Sequence, residues 1–356
     1  AGIDKVSIRM FEANLQDNLD ALMRELKTRD AFQPKPLRRV LIPKGKGKMR
    51  PLGIPAVRDR IAQEVLRLLL SPIFEPLFHE NSFGFRPGRN CHQALERVLS
   101  LWHQGYKVVL DADIQGFFDN IPHSVIMAGL ANVVADGNIL GLVERFLRAG
   151  VIEDGVFKPT TVGTPQGGVI SPLLANIALN SLDWLLDRQG MRIKRYADFV
   201  VMCHSHTQAE EALALVQSHL SDELGLKLSL EKTQFARFEE GFAYLGFDLC
   251  SRSVTMRAKS VEKFKAKIQE ITKRSLNLDE QLIVRLNQVI RGTANYFATP
   301  FSHNRKLFTV VDKWIRMRLR CMKFKRKWKT DNRRFRLKYF RRMGLLSLQD
   351  FYPQPA

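Results

Sequence analysis

Apolar positions recur along the chain at two different spacings, and the change between them predicts where helices and strands lie. Steps of three and four residues predict amphipathic helices over 7–31, 123–149 and 208–224. Short apolar runs bounded by Gly, Pro or Asp predict strands over 37–43, 108–114 and 242–247. From about residue 258 the strand signals vanish and helices dominate. The pattern therefore predicts an α+β fold that continues into a helical region.

Two of the apolar runs end in carboxylates. Asp111 and Asp113 close the strand predicted over 108–114 and face the same side of it, since they are two residues apart. Asp198 lies at a predicted turn between two further apolar runs. Paired strands would bring Asp113 and Asp198 together, and both stay ionised only with a cation between them. Mg²⁺ suits such oxygen ligands, which indicates two-metal phosphoryl transfer. Either aspartate alone is more often a strand cap or a turn residue.

The strongly positive net charge favours a negatively charged partner. Among 356 residues, 56 are Lys or Arg and 36 are Asp or Glu, which gives a net charge of +20. A field of that sign favours a polyanion, most commonly a phosphate backbone. No apolar run is long enough for a membrane span. Scattered cysteines without a CxxC pair argue against structural zinc and fit a reducing, cytoplasmic setting. The first residue is not Met, and we expect a segment upstream of it.

Glycine-rich segments lie between the predicted elements and carry groups that bind phosphates or bases. Residues 44–50 (KGKGKMR) place lysines and Arg50 where they reach a triphosphate, although a solvated turn fits the composition equally well. Residues 83–89 (FGFRPGR) combine aromatic rings with Arg86 and Arg89, which suits either a nucleic acid strand or a packed loop. Gln166 lies in a PQGG segment whose glycines permit a close backbone approach to a ligand.

An aromatic pair and a basic tail complete the candidate chemistry. Phe117 and Phe118 follow Asp113 closely, so one of them could exclude a 2′-hydroxyl, and plain core packing explains them as well. Residues 313–342 hold many Lys and Arg side chains with aromatic rings interleaved among them. A solvated charged face does not need those rings, whereas RNA offers both phosphates and bases to stack on. We therefore expect the tail to bind nucleic acid.

With these motifs in order, the chain resembles the reverse transcriptase–maturase proteins encoded by group II introns, over nearly its whole length. Six segments carry the resemblance: 42–55 (IPKGKGKMRPLGIP), 82–89 (SFGFRPGR), 113–121 (DIQGFFDNI), 163–172 (GTPQGGVISP), 195–198 (RYAD) and 244–247 (YLGF). Residues 285–297 (RLNQVIRGTANYF) resemble the start of the thumb or maturase domain of that family. The combination is far more specific than any one segment.

The resemblance implies a right-hand polymerase fold, with fingers over 1–105, a palm with an antiparallel sheet over 106–255, and a basic α-helical thumb/maturase domain over 256–356. Asp113 and Asp198 would be catalytic and, with the backbone of Ile114, would hold two Mg²⁺ ions, for which Mn²⁺ could substitute. Nucleotide-binding residues would be Lys44, Lys48, Arg50, Phe118, Gln166 and Lys232. Nucleic-acid contacts would come from Arg86, Arg89, Arg291, Arg316, Arg320, Lys325, Arg326, Lys327, Lys329, Arg333 and Arg334.

One departure from the family pattern keeps several functions open. The family usually reads Tyr-Ala-Asp-Asp-Phe, whereas Phe199 directly follows Asp198 here. The first hypothesis is an RNA-directed DNA polymerase that copies intron RNA or another RNA template from a DNA primer with dNTPs, which the intact pocket motifs favour. The second is a maturase that binds intron RNA without polymerisation, which the missing aspartate favours. A third is a group II-like reverse transcriptase in a defence or CRISPR spacer-acquisition system. The sequence leaves open whether the protein forms a homodimer.

The basic tail gives a prediction about salt. Replacing Lys327, Lys329, Arg333 and Arg334 by Gln should weaken RNA binding and flatten its salt dependence, because fewer counterions are released on binding. Each lost phosphate contact should reduce the slope of log K against log salt by about 0.7–0.9. Fluorescence anisotropy with a labelled structured RNA over a salt series measures both quantities. An unchanged affinity and slope would show that the tail does not contact the RNA backbone.

Overall fold

The computed structural model describes residues 1–45, 47–164, 166–196 and 199–353, without the side chains of Lys44 and Lys48. The chain forms two compact units, Ala1–Phe235 and Ala236–Ala356. Both mix helices with antiparallel strands, so the predicted α+β class is confirmed. The division of the first unit into fingers and palm stays a prediction. The strands between 242 and 256, which the sequence assigns to the palm, fall within the second unit.

Helices and strands alternate through unit one. Its described helices are α1 (Ile8–Glu12), α2 (Leu15–Lys27), α3 (Val57–Phe74), α4 (Cys91–His103), α5 (Phe117–Asn120), α6 (His123–Ala131), α7 (Gly137–Arg148), α8 (Ser171–Arg188) and α9 (His206–Ser218). Its described strands are β1 (Leu37–Gly45), β2 (Lys48–Ile54), β3 (Val108–Ala112), β4 (Val151–Glu153), β5 (Val156–Lys158), β6 (Arg192–Arg195) and β7 (Phe199–Cys203). Strand β8 (Gln234–Arg237) spans the boundary between the units.

Two four-stranded sheets organise these strands. The first has the order β2-β1-β4-β5, and its β1–β2 hairpin pairs Ile42 with Arg50. The second has the order β6-β7-β3-β8, and β3 runs antiparallel to β7 with Ala112 opposite Phe199. The register of β6 against β7 sets Arg195 opposite the same Phe199. Phe199, the first residue of β7 after Asp198, is therefore paired with β3 on one side and with β6 on the other.

Helix α8 is shared by the two hydrophobic cores of unit one. Its first half, including Leu174, packs with α3, α6 and α7. Its second half, including Leu182 and Leu186, packs on the second sheet against Leu110 and Val201. All five of these side chains are fully buried. Burying apolar area along both halves of one helix is the main stabilising contribution available to it, and it fixes α8 against the sheet that precedes Asp113.

Two predicted helices prove to be pairs of shorter helices. The helix predicted over 7–31 is broken between α1 and α2 at Asn14, whose backbone leaves the helical region (φ −129°, ψ 51°). The helix predicted over 123–149 is broken before α7, where the Asp136 carboxylate accepts hydrogen bonds from Asn138 N and Ile139 N at 2.8 and 3.1 Å. The Asp136 side chain caps the start of α7 in this way, whereas Asn14 makes no side-chain capping hydrogen bond at the start of α2. The apolar spacing did not reveal either interruption.

Unit two begins with a small sheet and continues in helices. Its described strands are β9 (Phe242–Tyr244), β10 (Phe247–Cys250) and β11 (Ser253–Met256), in the order β11-β10-β9. Its described helices are α10 (Ala258–Ile271), α11 (Glu280–Phe297), α12 (Arg305–Phe324), α13 (Asp331–Arg334) and α14 (Leu337–Arg342). The Phe247 ring packs against Phe297, with ring centroids 4.8 Å apart. The predicted change to helices at residue 258 is confirmed.

A buried ion pair joins β6, α8 and the 82–84 loop in unit one. Arg195 Nη2 donates to Asp183 Oδ2 at 2.7 Å and to Ser82 Oγ at 3.0 Å, and Nη1 donates to Asn176 Oδ1 at 2.5 Å. The Arg195 and Asp183 side chains are 7% and 0% exposed. Phe83 N donates to Arg195 O at 2.8 Å. The end of β6, directly before Tyr196, is therefore held from three directions.

Removing Asp183 should be strongly destabilising. Asp183→Ala leaves the Arg195 guanidinium buried without its carboxylate, and breaking such a pair costs about 3–5 kcal/mol. The matched control is Glu144→Ala, which breaks the exposed Arg148–Glu144 pair and should cost at most about 1 kcal/mol. Urea denaturation followed by circular dichroism measures both losses. Equal losses for the two variants would contradict the importance of the buried pair.

A second buried ionisable side chain lies one position earlier on β6. Lys194 of β6 is 0% exposed, and burial lowers the pKa of its amine to about 6, with smaller contributions from Arg97 and Arg192. The unfolded amine has a pKa of 10.5, so the unfolded chain binds more protons than the folded chain between pH 6 and 10.5. The free energy of unfolding contributed by this group therefore rises with pH across that window.

The Lys194→Met variant should lose this slope, because it has no proton to bind. The variant should gain most over the wild type near pH 6, and the advantage should shrink as the pH rises towards 10. Urea denaturation midpoints of both proteins at several pH values measure the difference. Parallel pH profiles for the two proteins would contradict the lowered pKa of Lys194.

Candidate active site

Asp113 directly follows β3 and is fixed through its backbone. Its carbonyl accepts a hydrogen bond from Ser229 N at 2.7 Å. The next residue, Ile114, forms an isolated bridge with Leu228, and Gln115 N donates to Lys227 O at 2.8 Å. The Asp113 side chain is 29% exposed. A carboxylate on this anchored segment keeps its place at the end of the sheet while remaining open to solvent.

Asp198, the second predicted catalytic residue, lies outside the described residues, as does Ala197. The strand register on either side is described, and it pairs Ala112 of β3 with Phe199 of β7. Asp113 immediately follows the first of these residues and Asp198 immediately precedes the second. The meeting of the two carboxylates stays a prediction, and so does the metal site. Within the described ranges, no three His, Cys, Asp or Glu side chains form a group that could hold a metal ion.

Lys232 reaches Asp113 in the structure. Its ammonium group donates a hydrogen bond to Asp113 Oδ2. Two residues earlier, Asp111 Oδ2 accepts a hydrogen bond from Gln234 Nε2 at 3.2 Å. The segment that carries Lys232 and Gln234 therefore brings one donor to Asp113 and one to Asp111, the two carboxylates that the sequence placed at this strand end. The structure thus joins a residue predicted to bind nucleotide to a residue predicted to bind metal.

Arg50 and Gln166, predicted separately as nucleotide-binding residues, are in direct contact. Arg50 Nε donates to Gln166 Oε1 at 2.6 Å. The other end of the amide, Gln166 Nε2, donates to Asp119 Oδ2 at 3.2 Å. Sequence reasoning missed Asp119, although it lies in the same FFDN segment as Phe118 and carries the only formal charge there. Lys44 and Lys48 belong to the same prediction, but their side chains lie outside the described part of the chain.

The glycines around Gln166 serve close contacts with the protein itself. Gly167 has φ +111°, and a Cβ there would lie 2.2 Å from Gly53 O. Gly163 has φ +85°, and a Cβ there would lie 2.6 Å from Asp119 O. Only glycine fits both positions without displacing backbone. The segment is therefore clamped between β2 on one side and α5 on the other, which explains why Gln166 reaches residues of both.

The two adjacent phenylalanines differ in their surroundings. Phe117 packs against both cores of unit one, whereas Phe118 packs against only one of them. The Phe118 ring also meets the Phe85 ring edge-on, with centroids 6.2 Å apart. Phe85 is 59% exposed and adopts a positive φ of 59°. Phe118 is thus the half-buried member of an aromatic pair that reaches solvent, and its contact with a nucleotide sugar stays a prediction.

Arg86 uses its guanidinium inside the protein. It is 7% exposed and donates to Glu75 Oε1, His79 O and Ser82 O at 2.8, 2.7 and 2.9 Å. This geometry favours the packed-loop alternative for residues 83–89 over a nucleic acid contact by Arg86. Arg89, in the same loop, is half-buried and lies over the Phe83 ring at 5.4 Å. Its contact with nucleic acid stays a prediction.

The predicted nucleic-acid residues of unit two divide by exposure. Three are half-buried: Arg316, Arg320 and Arg326. Six are exposed: Arg291, Lys325, Lys327, Lys329, Arg333 and Arg334. Arg326 pairs with the buried Asp331 at 3.3 Å and lies 4.7 Å from the ring centroid of Trp328, which is itself 63% exposed. Cations and an exposed indole on one surface are the groups that suit phosphates and unstacked bases.

Comparison with known proteins finds two matched domains along the chain. Residues 42–249 match the family described as reverse transcriptase (RNA-dependent DNA polymerase), and residues 261–340 match the group II intron, maturase-specific domain. The protein YkfC of Escherichia coli is 35% identical over 70% of this chain and 75% of its own length. The group II intron-encoded protein LtrA of Lactococcus lactis is 41% identical over 51% of this chain and 30% of its own length.

Two further comparisons bear on the extent of the match. An uncharacterised protein in the cob intron of Schizosaccharomyces pombe is 30% identical over 82% of this chain, which spans 46% of that protein. The solved structure of apo telomerase from Candida tropicalis covers 94% of this chain and 64% of its own, with a TM-score of 0.56 at 11% identity. This likeness shows the fold alone. None of the helices in the described ranges is long and apolar enough to cross a bilayer.

The six motifs, the two matched domains and the relative that is similar over most of both chains agree with one another. The chain belongs to the reverse transcriptase (RNA-dependent DNA polymerase) family, in the group II intron type that carries a maturase-specific domain.

Proposed function

We propose that the protein is an RNA-directed DNA polymerase that binds structured intron RNA and copies RNA into DNA by two-metal nucleotidyl transfer. The observation that carries the proposal is the register of β3 against β7, which pairs Ala112 with Phe199. These residues are the chain neighbours of Asp113 and Asp198, so a continued register would put the two carboxylates opposite each other. The contact of Arg50 with Gln166 supports the proposed nucleotide pocket.

The donor set suits Mg²⁺, which takes one or two carboxylates and completes its octahedron with waters and substrate phosphates. Asp113, Asp198 and the Ile114 carbonyl would hold the ions, with Mn²⁺ as a substitute. When bound, the ions supply charge neutralisation to the attacking and leaving oxygens. All of these proposed ligands are oxygen atoms, which suits a hard cation.

The residues of the chain would divide the remaining tasks. The 3′-hydroxyl of a DNA primer attacks the α-phosphate of a dNTP, and pyrophosphate leaves. Arg50 grips the triphosphate, and Gln166 contacts the sugar or the base. Phe118 covers the sugar. The Lys232 ammonium, which lies against Asp113, gives a proton to the leaving pyrophosphate. Positioning by these groups accounts for most of the rate enhancement, because the protein forms no covalent bond to the substrate in this reaction.

The RNA partner is supported by unit two. The maturase-specific domain occupies residues 261–340, and the relative LtrA is named a group II intron-encoded protein. The exposed cations Lys327, Lys329, Arg333 and Arg334 lie within that segment. A polyanion held there would supply sequence-independent affinity through its phosphates. The intron RNA serves on this proposal as both partner and template.

A second candidate is a maturase that binds intron RNA without polymerising. The observation that favours it is the hairpin sequence Tyr196-Ala197-Asp198-Phe199, which has one aspartate where the family usually has two. One fewer carboxylate weakens the hold on a metal. The contact between Arg50 and Gln166 favours the polymerase, since a protein that only binds RNA has no need of a triphosphate pocket.

Primer extension on an RNA template with dNTPs and Mg²⁺ tests the proposal. The wild type should extend the primer, and Asp113→Ala should lose at least about 100-fold, because even outer partners of metal ligands contribute 10- to 100-fold. The control Asp248→Ala, which changes an exposed strand aspartate of unit two, should leave extension unchanged. No extension by the wild type, together with tight binding of a structured RNA, would overturn the polymerase and establish the second candidate.

A further inference from the structure

Asp119, Gln166 and Arg50 form a hydrogen-bonded series of three side chains in unit one. The Asp119 carboxylate accepts from Gln166 Nε2 at 3.2 Å, and Gln166 Oε1 accepts from Arg50 Nε at 2.6 Å. A guanidinium only donates and an ionised carboxylate only accepts, whereas an amide has one end of each kind. The amide of Gln166 therefore has one orientation that satisfies both neighbours. The reversed amide would set two donors against each other at Arg50 and two acceptors against each other at Asp119.

The backbones at both ends of this series are held in place. Gly53 N, three residues after Arg50, donates to Gln166 O at 2.7 Å. On the other side, Gly163 N donates to Ile121 O at 2.8 Å, two residues after Asp119. Because these main-chain hydrogen bonds hold Gln166 to β2 and Gly163 to the end of α5, the three side chains are already close together. Little conformational entropy is then lost when the three side chains join.

The Nη1 and Nη2 groups of Arg50 determine what this series of three side chains can do. The Arg50 guanidinium uses Nε for Gln166 and makes no other hydrogen bond within the described ranges. Its Nη1 and Nη2 groups therefore keep their donors for a ligand. A guanidinium binds phosphate oxygens with two parallel N–H groups, and this requires its plane to be fixed. Gln166 fixes that plane, and Asp119 fixes Gln166.

We propose that Asp119 is a positioning residue for the incoming nucleotide, which acts through Gln166 to hold the Arg50 guanidinium in the orientation that grips a triphosphate. The proposal rests on the polymerase function proposed above. Asp119 does not touch the nucleotide, so its effect belongs to binding rather than to the chemical step. The Asp119 and Arg50 side chains are exposed, so water weakens the contacts and the effect is moderate.

Steady-state incorporation of a single dNTP tests the proposal. Asp119→Ala should raise KM for the dNTP roughly 3- to 10-fold and leave kcat within about 2-fold, the range expected for one ordinary hydrogen bond at an exposed site. Asp119→Asn keeps an acceptor oxygen and should restore most of the KM. A variant that merely damaged the fold would lower kcat as well and would not be rescued by Asn.

A double-mutant cycle shows whether Asp119 works through Gln166. In a Gln166→Ala background, Asp119→Ala should raise KM no further, because the link to Arg50 is already absent. The matched control is Asp20→Ala, since Asp20 accepts from Gln16 Nε2 at 3.1 Å on the surface of α2, remote in sequence from the pocket. It removes the same kind of contact and should change neither KM nor kcat. Additive effects of the two pocket substitutions would overturn the proposed route.

A measurement without nucleotide separates this inference from the proposed function. In protein labelled with ¹⁵N-arginine, the Nε–H signal of Arg50 is identified by its loss in Arg50→Lys. The signal should shift in Asp119→Ala and keep its position in Asp119→Asn. A wild type that extends no primer overturns the polymerase and leaves this result standing. A signal that Asp119→Ala does not move overturns the positioning role, whatever the activity.

Discussion

The buried ion pair between Arg195 and Asp183 is the constraint on which the active region depends. It ties the last residue of β6 to α8, and the two halves of α8 are packed in two different hydrophobic cores. Ser82 Oγ joins the same guanidinium, and the loop that follows it approaches so closely that a Cβ on Gly84 would lie 2.0 Å from Tyr196 O. A rigid helix thereby holds the start of the segment that leads to Asp198. Such a pair contributes specificity of arrangement more than net stability, because its desolvation is costly.

A second frame, made of main-chain contacts, holds the candidate nucleotide pocket. The segment around Gln166 is bonded to β2 on one side and to the end of α5 on the other. Arg50 and Asp119 thus meet Gln166 from elements that lie far apart in sequence. The site residues themselves remain partly exposed, while the residues that orient them are bonded or buried. This division is expected of a site that must admit a large, charged substrate and still hold its donors in place.

The sequence predicted the architecture better than the interactions that orient the site. Period and composition gave the α+β class and the start of the helices at residue 258, because burial follows those patterns directly. They missed the β4–β5 hairpin, whose strands are three residues each, and the break at Asn14, which local backbone conformation decides. The sequence left loop 83–89 open between a nucleic acid contact and a packed loop, and Arg86 bonds within the protein. The glycines beside Gln166 were predicted to admit a ligand, but Gly167 lies against Gly53. Asp119 was missed because its partner lies 47 positions away, at a distance no local pattern encodes.

The central claim is that the carboxylate at the end of β3 belongs to a metal-dependent nucleotide site. Electron paramagnetic resonance of Mn²⁺, titrated into the protein with a dNTP present, tests that claim without relying on catalysis. The account predicts that the wild type immobilises Mn²⁺ in the presence of the nucleotide. The Asp113→Ala variant should keep its fold and no longer immobilise Mn²⁺. A wild-type protein that holds no Mn²⁺ under these conditions, or an Asp113→Ala variant that holds it equally well, would contradict the account.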